Sequence, residues 1–298
     1  MSTLKSLAKA GYCIVVIEHR LDVVLPFVDK VFHVGGKRVR EIKDKESYLK
    51  EQSVEISDSC AVFCGGQPVF SLSDVAFSVK DRVILNGVAF DISKGSRTVL
   101  FGENGCGKTT LLRLISRLEK PTRGVILQNI SGKFGQKSKQ SKKWYKKVGV
   151  VYQNPDYQLF MPTVEKEIKF GAKSDEYADE IAEKFGVKHL YIRHPQSLSG
   201  GQKRRVSIAA VVGTAPEVLI LDEPTVGQDY KGLCEMTEIL NRIHEETKNT
   251  MITVTHDKRC AAALCDRAVW IKDGKVRKTG GKELAEEFFK DPTGNAKN

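Results

Sequence analysis

"RTVLFGENGCGKTTLLRLISRL", residues 97–118, decides the fold. Val99, Leu100 and Phe101 predict a short buried strand, the glycines after them break it, and Leu111, Leu112, Leu114, Ile115 and Leu118 recur on one face of a following helix. Gly102, Gly107, Lys108 and Thr109 satisfy the spacing G-x-x-x-x-G-K-[ST], with Gly105 adding freedom inside the loop. Glycines let the backbone curl around an anion, so that its N–H groups and the helix N-terminus face phosphates. The predicted phosphate-binding loop is therefore Gly102, Glu103, Asn104, Gly105, Cys106, Gly107, Lys108, Thr109 and Thr110. Lys108 is expected to reach the β- and γ-phosphates of ATP, and the Thr109 hydroxyl to reach Mg²⁺.

Further along, "VLILDEPT", residues 218–225, reads as a parallel strand buried on both faces and ending in two carboxylates. Asp222 is placed to hold Mg²⁺, and Glu223 to take a proton from the water that attacks the γ-phosphate. Between the two lies "LSGGQKRRVSIAAVV", beginning at Leu198, in which Ser199 can cap a helix while Gly200 and Gly201 let a phosphate approach the backbone. Taken in order with Gln153 in "VVYQNPD", Asp229 in "VGQD" and His256 in "TVTHD", these motifs resemble those of an ATP-binding-cassette (ABC) ATPase over about residues 68–281.

That resemblance implies an α/β fold: a P-loop NTPase of ABC type with a mainly parallel core sheet, an antiparallel β subdomain and a helical subdomain. It also implies a nucleotide sandwich, in which a second ABC ATPase domain, identical or related, completes each site. Glu223, His256 and Gln153 would then be catalytic, and Thr109, Gln153 and Asp222 would surround the metal. Leu198, Ser199, Gly200, Gly201 and Gln202 would act in trans on the nucleotide of the opposite domain, and Asp229 would lie at the dimer seam. The run "QNPDYQLFMPTVEKEIKFG", residues 153–171, and "PTVGQDYKG", residues 224–232, are similar to ATPases of energy-coupling-factor transporters, which import metal ions and vitamins. A membrane-embedded transporter subunit is the partner so implied, with the ATPase peripheral on the cytoplasmic face. Leu159, Phe160 and Met161 are expected to offer it an apolar patch.

Charge raises the main alternative. The net charge of +11 is concentrated in residues 128–147, which hold seven lysines and no acidic residue. Trp144 and Tyr145 interleave with them, as in a surface that grips and stacks nucleic acid, so a soluble ABC ATPase acting on nucleic acid or ribosomes is the rival reading. A solvated basic loop is the plainer one. A nucleotide-binding remnant with a regulatory role is a third. Seven scattered cysteines form neither a disulfide framework nor a zinc pattern. Apolar runs such as "CIVVI" fall far short of the roughly 20 residues needed to cross a bilayer.

Three features depart from the resemblance, the first being Cys106 in place of the commoner serine within the phosphate loop. Val79 stands where related ATPases carry an aromatic residue for adenine, and Phe77, two residues earlier, is either its substitute or core. The helical subdomain is expected to be short, with "SDEYADEIAEKFGV" as its recognisable helix.

Before the cassette stands "VVIEHRLD", residues 15–22. An offset of 237 residues carries His19 onto His256 and Asp29 onto Asp266, with a gap expected near Gly35. The expected organisation is a C-terminal remnant of a first ABC domain at residues 1–50, a linker at 51–67, a complete ABC domain at 68–281, and a C-terminal helix and polar tail at 282–298. The chain thus reads as the second half of a tandem protein.

Overall fold

Residues with period-two apolar patterning become two kinds of strand, some covered on both faces and some on one. The computed structural model describes residues 2–17, 24–35, 37–51, 66–130, 133–135 and 142–290. They fall into two units, Met1–Ser57 with Gln228–Lys231, and Asp58–Gly227 with Gly232–Asn298.

In the first unit, helix α1 (Ser2–Lys9) precedes an antiparallel hairpin of β1 (Val31–Gly35) and β2 (Arg38–Ile42), and α2 (Lys45–Glu51) follows. His33 on β1 meets Tyr48 of α2 edge to face, and Lys45 Nζ donates to Val28 O at 2.7 Å.

The second unit begins with two long antiparallel strands, β3 (Pro68–Val79) and β4 (Arg82–Ser93). Strand β5 (Arg97–Phe101) and helix α3 (Lys108–Ile115) then frame the phosphate loop, as expected. Next come β6 (Arg123–Ile130), β7 (Lys133–Gly135), α4 (Lys142–Tyr145) and β8 (Val148–Val151). Helices α5 (Val164–Lys169), α6 (Asp175–Lys184) and α7 (Gly200–Gly213) lead to β9 (Val218–Asp222). The chain closes with α8 (Tyr230–Thr247), β10 (Thr250–Val254), α9 (Lys258–Ala263), β11 (Arg267–Lys272), β12 (Lys275–Gly280) and α10 (Lys282–Lys290).

One sheet has six strands in the order β12-β11-β5-β10-β9-β8, parallel except for the edge strand β12. The other is antiparallel, in the order β4-β3-β6-β7. Alternation divides each central strand between two cores: Leu219 and Leu221 of β9 face the helices α5, α6 and α7, whereas Val218 and Ile220 face α3 and the antiparallel sheet. The sheet is thereby covered on both sides, which is why its strands read as unbroken apolar runs.

The helical subdomain is fuller than its sequence suggested. Thr163 caps α5 by accepting from Lys166 N, and Ser174 caps α6 by accepting from Tyr177 N, so a second short helix precedes the recognisable one. Its apolar face holds only Val164 and Ile168, too brief a period to stand out in the sequence.

Two side chains, Leu159 and Trp144, lie elsewhere than expected, and Phe77 takes the second of its two expected placements. Leu159 is buried in the helical core and not part of a surface patch, because the turn after Asn154 directs it inward while Phe160 stays 68% exposed. Trp144 is buried, donates from Nε1 to Gln128 Oε1 at 2.8 Å and lies under the Arg117 guanidinium, so its ring is not a free stacking surface. Phe77 packs against the core beside the antiparallel sheet, and Val79 is exposed.

The offset of 237 residues also holds in the elements. It carries Val31 of β1 onto Ala268 of β11, Arg38 of β2 onto Lys275 of β12 and Lys45 of α2 onto Lys282 of α10. The gap expected near Gly35 is not needed: Lys37 and its counterpart Gly274 both have positive φ, 60° and 71°, at the hairpin turn. Their surroundings differ sharply. Val15 and Ile17 are 85% and 91% exposed, whereas their counterparts Ile252 and Val254 are 0% and 1% exposed inside the parallel sheet. His19 and the rest of "EHRLD" lie outside the described residues.

Candidate nucleotide site

The phosphate loop joins the end of β5 to the start of α3. Gly102 and Gly107 must be glycine: a Cβ at Gly102 would fall 2.1 Å from Ile271 O, and one at Gly107, where φ is 104°, would fall 2.6 Å from Leu85 Cδ2. Gly105 meets nothing within 4 Å, and it is its φ of 80° that favours glycine there. Lys108 Nζ donates to Gly102 O and Glu103 O, both at 2.8 Å, which keeps the ammonium inside the curl of the loop. No side chain caps α3 at Gly107, so its first N–H groups point into the concavity that the loop makes. Burial pushes the Cys106 thiol up, against the opposing pull of Lys108, and makes it a poor nucleophile.

Across the loop, β9 delivers its carboxylates. Asp222 is buried; burial followed by the neighbouring Glu223 charge raises its pKa, and a hydrogen bond from Thr109 opposes the rise. Its Oδ1 has no hydrogen-bond partner. A buried carboxylate oxygen left without a partner, beside a threonine hydroxyl, is the hard-oxygen donor set that a divalent cation such as Mg²⁺ takes.

Glu223 follows at φ 52°, a left-handed conformation that costs a non-glycine residue about 1–3 kcal/mol. Its amide donates to Val254 O at 2.9 Å, and its carboxylate accepts from His256 N at 3.3 Å. Glu223 Oε1 also lies 2.8 Å from His256 Nδ1. An ionised carboxylate can only accept, so the pair requires a proton on Nδ1 of the half-exposed ring.

Ser199 forms a capping box with Gln202: Gln202 N donates to Ser199 Oγ at 3.3 Å and Ser199 N donates to Gln202 Oε1 at 3.1 Å. Ser199 and Gly200 are exposed at the tip of α7. Gln153 is exposed too, and shares with Leu198, Gly200 and Lys203 a cleft of about 290 Å³. Asp229 is exposed between β9 and α8, in the unit that contains Met1–Ser57. The tertiary structure thus unites Lys108, Thr109, Asp222, Glu223 and His256, and Gln153 lines a cleft with Leu198 and Gly200.

One residue of this region carried no role in the sequence reading. Arg204 on α7 is 1% exposed and donates to main-chain carbonyls on both β8 and β9 sides of the site. Its spacing with Ile208 and Val212, both buried, is the signal that marks it as inward-facing.

A phosphate loop at the end of a parallel strand, with a carboxylate pair at the end of a second parallel strand one place removed in the same sheet, defines a P-loop nucleoside triphosphatase. A sequence model described as ABC transporter matches residues 85–226. The energy-coupling factor transporter ATP-binding protein EcfA2 of Enterococcus faecalis is 41% identical over 205 residues, covering 63% of this chain and 69% of that protein. A putative HMP/thiamine import ATP-binding protein of Bacillus subtilis, YkoD, is 30% identical over 304 residues, covering 88% of this chain but 55% of that longer protein. Among solved structures, cbiO1 of Clostridium perfringens, part of an ABC transporter complex, superposes with a TM-score of 0.64 at 31% identity, covering 75% of this chain and 91% of that one. The chain belongs to the ATP-binding-cassette family and is an ABC-type ATPase.

Proposed function

We propose that the chain is the ATP-hydrolysing subunit of an energy-coupling-factor-type importer, working as half of a two-cassette sandwich. The observation that carries this reading is the Glu223–His256 pair, 2.8 Å apart, next to the unpartnered Asp222 oxygen. Glu223 accepts the proton of the attacking water, and His256, held by Glu223 through Nδ1, donates from Nε2 to the γ-phosphate in its doubly protonated form. Residues 102–110 would hold the phosphates, and Thr109, Asp222 and Gln153 would hold Mg²⁺. Bound there, Mg²⁺ would neutralise charge on the β- and γ-phosphate oxygens. Leu198, Ser199, Gly200, Gly201 and Gln202 act on the nucleotide of the opposite cassette, with Asp229 at the seam.

Docking to a membrane subunit is assigned to the apolar face around Phe160 and Phe170, which are 68% and 58% exposed and pack edge to face at 5.6 Å. They border a cleft of about 220 Å³ between the end of β8 and α7. On this reading the chain would lie on the cytoplasmic face of a membrane; among the described residues no helix is long and apolar enough to cross one. The imported metal ion or vitamin would be chosen by the membrane subunit.

The domain limits proposed are 1–50 for the closing segment of a first ABC domain, 51–67 for a linker, 68–281 for the complete ABC domain and 282–298 for the terminal helix and tail. The shared frame of the two hairpins and the 88% coverage in the match to YkoD support the first of these. Steady-state hydrolysis of Mg-ATP by the purified chain, with Glu223→Gln as control, tests the enzymatic core of the proposal. Equal rates in the two would reject it.

A further inference from the structure

We propose that Arg204 is a positioning residue of the hydrolytic site: from α7 it holds the backbone of Glu223 in its left-handed turn and so sets where the Glu223 carboxylate meets His256. The proposal rests on reading Glu223 as the base.

Arg204 is enclosed, yet its guanidinium does not neutralise a carboxylate in the bonds that define its position. Nε donates to Pro224 O at 3.2 Å, Nη2 to Asp222 O at 2.6 Å and to Glu223 O, and Nη1 to Tyr152 O. Three of these acceptors are consecutive carbonyls, Asp222, Glu223 and Pro224, at the point where β9 leaves extended geometry. The fourth immediately precedes Gln153. The planar fork of an arginine can bind such divergent acceptors at once, which a single ammonium centre does less well. Burial lowers the guanidinium pKa to about 10, with Asp222 and Glu223 opposing, so the group is still a cation at neutral pH.

A non-glycine residue stays in the left-handed region only where its surroundings over-determine it. Glu223 is held by its amide on Val254 O, by its carboxylate on His256 N and by its carbonyl on Arg204. The first two ties come from the β10 side and the third from α7. With the third removed, the peptide after Glu223 is released to rotate, and the carboxylate turns away from His256. The phosphate loop makes none of these bonds, so the loss falls on the chemical step and leaves the loop's own hold on the nucleotide in place.

The test compares the purified full chain with Arg204→Met and Arg204→Lys, using Mg-ATP hydrolysis and residue-resolved amide hydrogen exchange. In Arg204→Met, kcat is expected to fall about 100-fold with KM for ATP unchanged, as for a misplacement of about 1 Å at a reacting group. Exchange at the Glu223 and His256 amides should quicken while that of Leu111 keeps the parent rate. Arg204→Lys, which retains a cation, should lie between parent and Arg204→Met in both readouts, and it carries the test if Arg204→Met does not fold. Parent values of kcat and of Glu223 exchange, whatever happens to the melting temperature, would overturn the proposal. A failure of the base assignment is seen separately: Glu223→Gln would then hydrolyse ATP like the parent, while the exchange data still decide whether Arg204 holds the turn.

Discussion

Arg97 and Asp266 fasten the first residue of β5 to the residue before β11. Arg97 Nη2 lies 2.6 Å from Asp266 Oδ1, Nε reaches both carboxylate oxygens at 3.1 Å, and both side chains are under 10% exposed. Arg97 N also donates to Asp266 Oδ2, and the two backbones bond through Asp266 N, which donates to Arg97 O. Removing one partner strands a buried guanidinium, so Asp266→Ala is expected to lower stability by about 3–5 kcal/mol. Urea unfolding of the parent and the variant measures it.

For the hydrolytic site, Glu223→Gln keeps the size of the side chain but removes the base. Its kcat is expected to drop by about 10²–10⁴, while ATP still binds. His256→Ala should fall in the same range, and the double variant should lose little more than either alone, because the two side chains act as one unit. Single-turnover hydrolysis alongside equilibrium ATP binding separates these effects.

A pH dependence follows from His244 on α8. Burial first, then the Arg97 charge, depresses its pKa, against the opposing effects of Asp266 and the contact of Nδ1 with Asn249 O at 2.9 Å. The unfolded chain therefore binds this proton more readily than the folded one. The stabilising contribution is present above an unfolded-state pKa of about 6.5 and is lost as pH falls below it. Between pH 7.5 and 5, His244→Asn should show a shallower decline in unfolding free energy than the parent. An equal slope in both would contradict this.

Glu167 supports the exposed face at Phe160. Its buried carboxylate accepts from Phe160 N at 2.9 Å and from Met161 N at 2.7 Å. Phe160→Asp is expected to weaken association with a membrane subunit in a pull-down from detergent while ATP turnover of the purified chain stays at the parent level. Glu167→Ala, which frees both amides, should weaken the same association without altering the surface chemistry. Association unchanged in Phe160→Asp would remove this face from the docking proposal.

Local patterns made much of this molecule legible. The phosphate loop between β5 and α3 was readable because glycine spacing and helical periodicity are short-range signals, and the "VLILD" strand because burial on both faces leaves no polar position in it. The direction of Leu159 was not readable, since the turn that faces it inward is set by Asn154 Oδ1 accepting from Asp156 N and by packing against distant helices. Trp144 likewise sits in a lysine-rich stretch whose composition suggests surface, but Gln128 and Arg117 enclose its ring.

By itself, the order of residues determined the P-loop class, the ABC family pattern and the repeated frame of 237 residues, because each depends on spacing along one chain. Only the tertiary structure decided that Glu223 takes a left-handed turn, that His256 Nδ1 meets its carboxylate and that Arg204 closes on the same peptide. Those relations join residues from β9, the end of β10 and α7, and their geometry is set by how three separately patterned elements pack, a quantity no local spacing contains.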